Sequence, residues 1–397
     1  MKILCVDGRD IGGVGGALRG QEMSKALASL GHEVVHKGPH QNLVAFLDSE
    51  KDLDGAIMTG TWHQLMYPKP FAVVAAEVAD KRGIPVIWWY GSNGSIFGSV
   101  DPDAAKRAAD ERRVIQMLCE RKFIGVICPY SIGIYKRHGV PEEKMRLVPS
   151  VFDGNLFTPA KTEWDRHSSA RLREDFSIPQ DAFVLGTVGN TPNSKGGDDV
   201  VRAFALLKDE MPDLHYLILH TPAKNLSKVK ATSPDGKTIG NSEFDVLNMT
   251  KKLAVDLKVA DRVHFVGIRF KREAMPMFYR VCNVYCSPSK AENLGQPLVE
   301  SQLCGLPLVT YKGFSFDFVA CPATAQQIEP SGTVTDDYGL IIPDADPKVL
   351  ADAIRRARAK AEDWTSATIT RAWTYQKFHW HGAQTMADAI SEYKALM

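Results

Sequence analysis

Residues 285–310 read YCSPSKAENLGQPLVESQLCGLPLVT. An apolar run ends at Ser287 and Pro288, and a polar loop follows. Pro297 suits the first position of a helix, because the N–H that proline lacks would have no intrahelical partner there. Leu298, Val299, Gln302 and Leu303 continue the helix, Gly305 ends it, and a second apolar run begins at Leu306. Strand, loop, helix and strand in that order form the unit of a parallel sheet. The helix N-terminus then falls at the carboxyl edge of the sheet, where such folds bind ligands. Backbone N–H groups at residues 293–296 would face an anion in that geometry. Glu292 is expected in the loop and Glu300 in the first helical turn. Alone, such a pair has a plain reading: one carboxylate complements the helix dipole and the other is solvated. Its surroundings must carry any functional reading.

Working outward, the same unit recurs. Strands are predicted at residues 183–189 (FVLGTVG), 214–220, 263–266, 283–287 and 307–311, separated by helices. A first series fits residues 2–6 (KILCV), 32–36, 54–59, 84–89, 125–128 and 146–149, with a long helix at 103–122. The alternation pauses at residues 152–179, which read as a linker plus a short helix. The predicted organisation is therefore a domain of residues 1–155 rejoined by about 378–397, a linker at 156–180, and a second domain at 181–377. Residues 221–243 are polar and read as a surface excursion.

The bulk properties agree with two ordinary α/β domains. The 397 residues exceed one core, and 44% hydrophobic with 24% charged residues is globular composition. A net charge of +1 gives no overall pull toward nucleic acid or membrane. Between residues 104 and 146, however, ten Lys or Arg face five Asp or Glu. That excess reads either as a solvated helix face or as a seat for an anionic acceptor or a membrane surface. Seven scattered cysteines without a CxxC pair suggest reduced thiols and no zinc set. The opening MKILCVDGRD turns polar too quickly for a signal peptide, and no apolar run of about 18 residues occurs. A cytoplasmic protein is expected, with peripheral membrane contact as an option.

SPSKAENLGQPLVESQLCGLPLV resembles the signature of glycosyltransferase family 4. That resemblance implies the GT-B fold: two Rossmann-like domains facing each other across a cleft, with a C-terminal helix crossing back to the first. It covers most of the chain. Gly12, Gly13, Gly15 and Gly16, followed by LASLGHEVV, resemble the family's opening glycine loop, and GTVGN with Lys195-Gly196-Gly197 resembles the start of its second domain. VHFVG at 263–267, GLIIPDAD at 339–346 and Phe378-His379-Trp380 before the last helix resemble later elements.

The resemblance implies a retaining transfer of a hexose-type sugar from a nucleoside-diphosphate sugar, UDP-sugar first among them, to an acceptor hydroxyl of a glycan, lipid or small molecule. No cofactor or metal is implied. Glu292 and Lys195 are the implied catalytic residues. Glu300 would accept from ribose hydroxyls and Glu292 from sugar hydroxyls. Asn293, Leu294 and Gly295 would offer backbone N–H groups, and Gly267 and Ile268 would lie near the base. The family places an arginine where Asn190 stands, and a lysine at Lys195. Both face the leaving diphosphate, so either one cation is missing here or Arg269 or Lys271 supplies it from elsewhere.

For the acceptor, the usual histidine is absent from WWYGSNG. His63, Tyr90, Ser92 and Asn93 are the candidates by position. The D-x-D letters at 101–103 and 344–346 read as a helix cap and a turn, not as metal sites. Alternatives are a transferase acting on hydroxymethylated DNA bases and a GT-B nucleotide-sugar epimerase. A nicotinamide oxidoreductase is disfavoured because the early glycines miss GxGxxG spacing. A non-catalytic sugar binder would fit the loss of the arginine.

Overall fold

The computed structural model describes residues 1–7, 15–37, 43–60, 78–90, 115–116, 118–189, 195–220, 231–232, 238–240, 243–268, 270–289, 292, 294–313, 315–330, 334–335, 341–342 and 345–397. The chain divides into two compact units, Met1–Asp153 with Gln376–Met397, and Gly154–Tyr375.

The first unit holds β1 (Lys2–Asp7), α1 (Gly15–Ser29), β2 (Glu33–Lys37), α2 (Leu43–Ser49), β3 (Gly55–Gly60), β4 (Val86–Tyr90), β5 (Phe123–Val126), α3 (Pro129–Arg137) and β6 (Met145–Leu147). Its six strands form one sheet in the order β2-β1-β3-β4-β5-β6, and every pairing is parallel. Alternation decides the two faces. Leu4, Val6, Ala56, Met58, Val86, Trp88, Ile124 and Val126 join Leu43 and Leu47 of α2 and Ile134 and Tyr135 of α3 in one core. The opposite face meets the last helix of the chain, His381–Ala395, through Gly55 against Ile390 and Phe123 edge-on to Tyr393. The strand expected at 125–128 sits two residues earlier, because Cys128 already caps α3 and Pro129 opens it. Most of the helix expected at 103–122 lies outside the described residues.

The second unit continues with α4 (Glu163–Asp175), β7 (Phe183–Val188), α5 (Gly197–Leu207), β8 (Leu214–Leu219), β9 (Ala231–Thr232), β10 (Thr238–Gly240), α6 (Glu243–Asp256), β11 (Val263–Val266), α7 (Met275–Val281), β12 (Val284–Cys286), α8 (Gln296–Leu303), β13 (Leu308–Tyr311), α9 (Phe316–Val319), β14 (Gln326–Ile328), β15 (Val334–Thr335), β16 (Ile341–Ile342), α10 (Pro347–Glu362) and α11 (Trp364–Phe378). The last helix is α12. The main sheet is again all parallel, in the order β11-β8-β7-β12-β13-β14. All six residues of β8 are buried, as expected of a strand covered on both faces. β7 and β12 are neighbours, so the strand order reverses between them. A crevice at the carboxyl ends of such a pair is the ligand position of open α/β sheets.

Residues 156–180, expected as a linker, belong to this unit. Thr162 and Asp165 form a reciprocal capping box that starts α4. Arg280 then ties Thr158 and Asp165 to α7, and Arg371 donates to the Gly154 and Phe157 carbonyls at 2.7 Å each. The polar composition that suggested a tether is consumed in these bonds. Of the 221–243 excursion, β9 and β10 form a small antiparallel pair.

Candidate functional site

The site grows from the reversal point of the second sheet. β7 ends at Val188, and Gly189 follows with room for the Lys195 side chain. A β-carbon at Gly189 would lie 2.4 Å from Lys195 Cγ. Gly196 adopts a left-handed backbone, φ 75°, and caps α5. A β-carbon there would stand 2.3 Å from the Pro288 carbonyl oxygen, so only glycine lets the loop after β7 lie against the loop after β12.

Across that contact, the Lys195 ammonium is ion-paired with the Glu292 carboxylate. Ser289 Oγ donates to the same Glu292 oxygen at 3.3 Å. Ser287 Oγ donates to the Lys195 carbonyl at 3.5 Å, and Thr310 Oγ1 to the Ser287 carbonyl at 3.1 Å. Both ionic side chains are mostly covered, 22% and 13% exposed.

Glu300 is held separately, on α8. The helix starts at Gln296 after Gly295, which is left-handed at φ 81°, and Pro297 is its second residue. Glu300 is therefore the fifth helical residue, one residue deeper than expected and past the first turn, which holds no acidic residue. Dipole complementation is removed as its explanation. Its side chain is only 5% exposed, and both oxygens are engaged. Tyr279 OH donates to Oε2 at 2.6 Å, and Arg272 forms an ion pair with Oε1. Burial, and then the Glu300 charge, push the Tyr279 phenol well above its usual range, so it remains a donor at neutral pH. The Arg272 guanidinium lies 4.5 Å over the Phe157 ring, which is edge-on to Tyr279 at 6.1 Å.

The structure thus pairs Lys195 with Glu292 and puts Gly267 and Ile268 directly after β11, at the same carboxyl edge. Ile268 is exposed, and Leu294 is buried beside Gly295. Gly15 and Gly16 open α1 in the first unit, and Tyr90 ends β4. Gly12, Gly13, His63, Ser92, Asn93, Asn190, Asn293 and Arg269 lie outside the described residues. Lys271 is exposed, and the neighbouring Arg272 is the cation that reaches the site. Spacing singles out neither Arg272 nor a role for Tyr279, because their partner is 28 and 21 positions away.

Of the basic excess at 104–146, Arg121 pairs with Asp80, Lys136 with Glu142 and Arg146 with Glu392. All seven cysteines are free, and six are buried. Among the described residues no group of three or more His, Cys, Asp or Glu is placed to hold a metal ion. No helix among them is long and apolar enough to cross a membrane.

Residues 168–365 match the family model described as glycosyl transferases group 1. A D-inositol 3-phosphate glycosyltransferase of Stackebrandtia nassauensis is 31% identical over 167 residues, 42% of this chain and 33% of that protein. D-inositol 3-phosphate glycosyltransferase 1 of Catenulispora acidiphila is 27% identical over 322 residues, 80% of this chain and 68% of that protein. The chain spans about a third to two thirds of the length of these curated relatives. Among solved structures, Anabaena Alr3699/HepE in complex with UDP and glucose has a TM-score of 0.69 at 18% identity, covering 99% of this chain and 100% of that one. Sucrose-phosphate synthase from Thermosynechococcus elongatus gives 0.66 at 18% identity, with 100% of both chains covered. At such identities the likeness bears on fold alone, and it shows the GT-B class.

Proposed function

Because the chain belongs to the glycosyl transferases group 1 family, we propose that it moves a hexose-type sugar from a nucleoside-diphosphate sugar to an acceptor hydroxyl, with retention at the anomeric carbon. The observation that carries this reading is the Lys195–Glu292 pair at the carboxyl ends of β7 and β12.

A half-buried cation beside a carboxylate can divide a donor between them. Lys195 turns to the leaving diphosphate, and Glu292 accepts from the hydroxyls of the transferred sugar. Glu300 accepts from the ribose hydroxyls, with Gly267 and Ile268 near the base. The bond from the anomeric carbon to the phosphate oxygen breaks while the acceptor oxygen bonds on the same face. The acceptor proton passes to the departing phosphate oxygen. No side-chain base is required, and Lys195 takes the role of countering diphosphate charge without a metal.

UDP-glucose is the first donor to try, since the complexes of Alr3699/HepE contain UDP with glucose and UDP-glucose. The relatives' names favour a polyol phosphate as first acceptor. Glycans, lipids in vesicles and hydroxymethylated DNA complete the screen. The test follows product by NMR, with EDTA present, from each nucleoside-diphosphate sugar. Transfer with an axial donor giving an axial product supports the reading. Donor isomerised without an acceptor, or donor bound without any turnover, would replace it with an epimerase or a sugar-binding protein.

A further inference from the structure

We propose that Arg272 is a positioning residue that sets nucleotide affinity through Glu300, and that it does not stand in for the arginine missing at position 190. This rests on the reading of Glu300 as the ribose contact.

Three side chains interlock around the Glu300 carboxylate. Tyr279 donates to one oxygen at 2.6 Å and Arg272 pairs with the other. The guanidinium carbon lies 4.5 Å from the centre of the Phe157 ring, which meets Tyr279 edge-on. Tyr279 in turn meets Tyr285 edge-on at 6.0 Å, which links the cluster to β12. A cation held against an aromatic ring loses that contact when it swings away, which favours the direction of donation it already has. That direction is into Glu300.

Each carboxylate oxygen accepts two hydrogen bonds. With one donor already on each, a remaining pair of acceptor sites fits the two adjacent hydroxyls of a ribose. Without Arg272 the carboxylate would be free to turn about its side-chain torsions and present that pair elsewhere. The cation suited to a diphosphate is Lys195, which faces Glu292 and not Glu300. Arg272 instead donates through Nη1 to the carboxylate.

The test compares Arg272→Gln, Arg272→Lys, Tyr279→Phe and Glu300→Gln with the unmodified protein. Each is titrated calorimetrically with UDP, 2′,3′-dideoxy-UDP and uridine. The unmodified protein is expected to prefer UDP over the dideoxy nucleotide by about tenfold or more. Arg272→Gln should reduce that preference to the level of Glu300→Gln while leaving the preference for UDP over uridine intact. In turnover, donor KM should rise with kcat changed much less. Arg272→Lys, which keeps charge but not the fork, should fall between, and it carries the test if Arg272→Gln does not fold. An Arg272 variant that keeps full ribose preference overturns the proposal. So does one that loses the UDP-over-uridine preference instead, since Arg272 would then hold phosphate. If Glu300→Gln also leaves ribose preference intact, the ribose reading of Glu300 falls with it.

Discussion

Lys195 and Glu292 lie 97 positions apart in sequence and meet as an ion pair. Each follows one of two strands that are neighbours only because the sheet order reverses between them. Gly196 makes the meeting feasible by allowing its loop to touch Pro288.

Removing the Lys195 ammonium should therefore cost catalysis more than stability. Lys195→Ala is expected to lower kcat by about 100-fold or more, the scale of losing one charge stabiliser of a transition state. The unfolding free energy should change by about 1 kcal/mol or less, since the pair is partly exposed. Steady-state kinetics beside urea unfolding decide it. A variant that unfolds easily yet turns over normally would make the pair structural.

The Glu300 cluster should show the opposite balance. Arg272→Met leaves a buried carboxylate without its ionic partner and is expected to destabilise by about 3–5 kcal/mol. Adding Glu300→Leu removes the orphaned charge and should recover most of that loss, but nucleotide binding should stay weakened. Chemical denaturation with UDP titration measures both quantities in one preparation. Recovery of binding in the double variant would contradict the assigned role.

Glycines with the same backbone sign should differ by their surroundings. Gly313 has φ 90°, and a β-carbon added there would meet nothing within 4 Å, so Gly313→Ala should cost about 1–2 kcal/mol, the left-handed penalty alone. Gly196→Ala carries that penalty and also meets the Pro288 carbonyl, adding about 1–3 kcal/mol of overpacking. It should weaken donor binding as well, because Lys195 moves with the loop. Equal melting temperatures for the two variants would count against the close approach.

His215 and His264 face each other across β8 and β11, with 2.8 Å between ring nitrogens. Burial, with His215 next, lowers His264 to about 4, and burial lowers His215. Arg262, Arg173, Asp261 and Asp213 supply the surrounding charge. Below the ordinary histidine pKa of about 6.5, the unfolded chain takes up protons that the folded pair refuses. Stability should be complete above that pH and decline as pH falls toward 4. His264→Gln should flatten this decline, read as the pH dependence of the urea midpoint. Parallel curves for the two proteins would locate acid sensitivity elsewhere.

The fold is legible because its signals are local. Buried strands of a parallel sheet are short apolar runs, and β1, β7 and β8 announce themselves as such. The candidate site is half legible. Lys195, Glu292 and Glu300 stand in motifs whose residues are close in sequence, whereas Arg272 stands in RFKREA with nothing to mark it. The linker expectation fails for a related reason. Thr158, Asp165 and Arg173 read as solvated polar residues until their partners Arg280 and the carbonyls of residues 179, 180, 182 and 281 are seen.

Alternating apolar runs, glycine-bounded helices and a recurring strand–loop–helix unit follow from forces acting within about ten residues, and so they could be read from the chain. Which carboxylate each cation meets depends on strand order, and strand order depends on how two whole faces of a sheet are covered. Burial then assigns the partners. A buried charge such as Glu300 must find its counter-ion wherever the packed chain brings one, however many residues away that is.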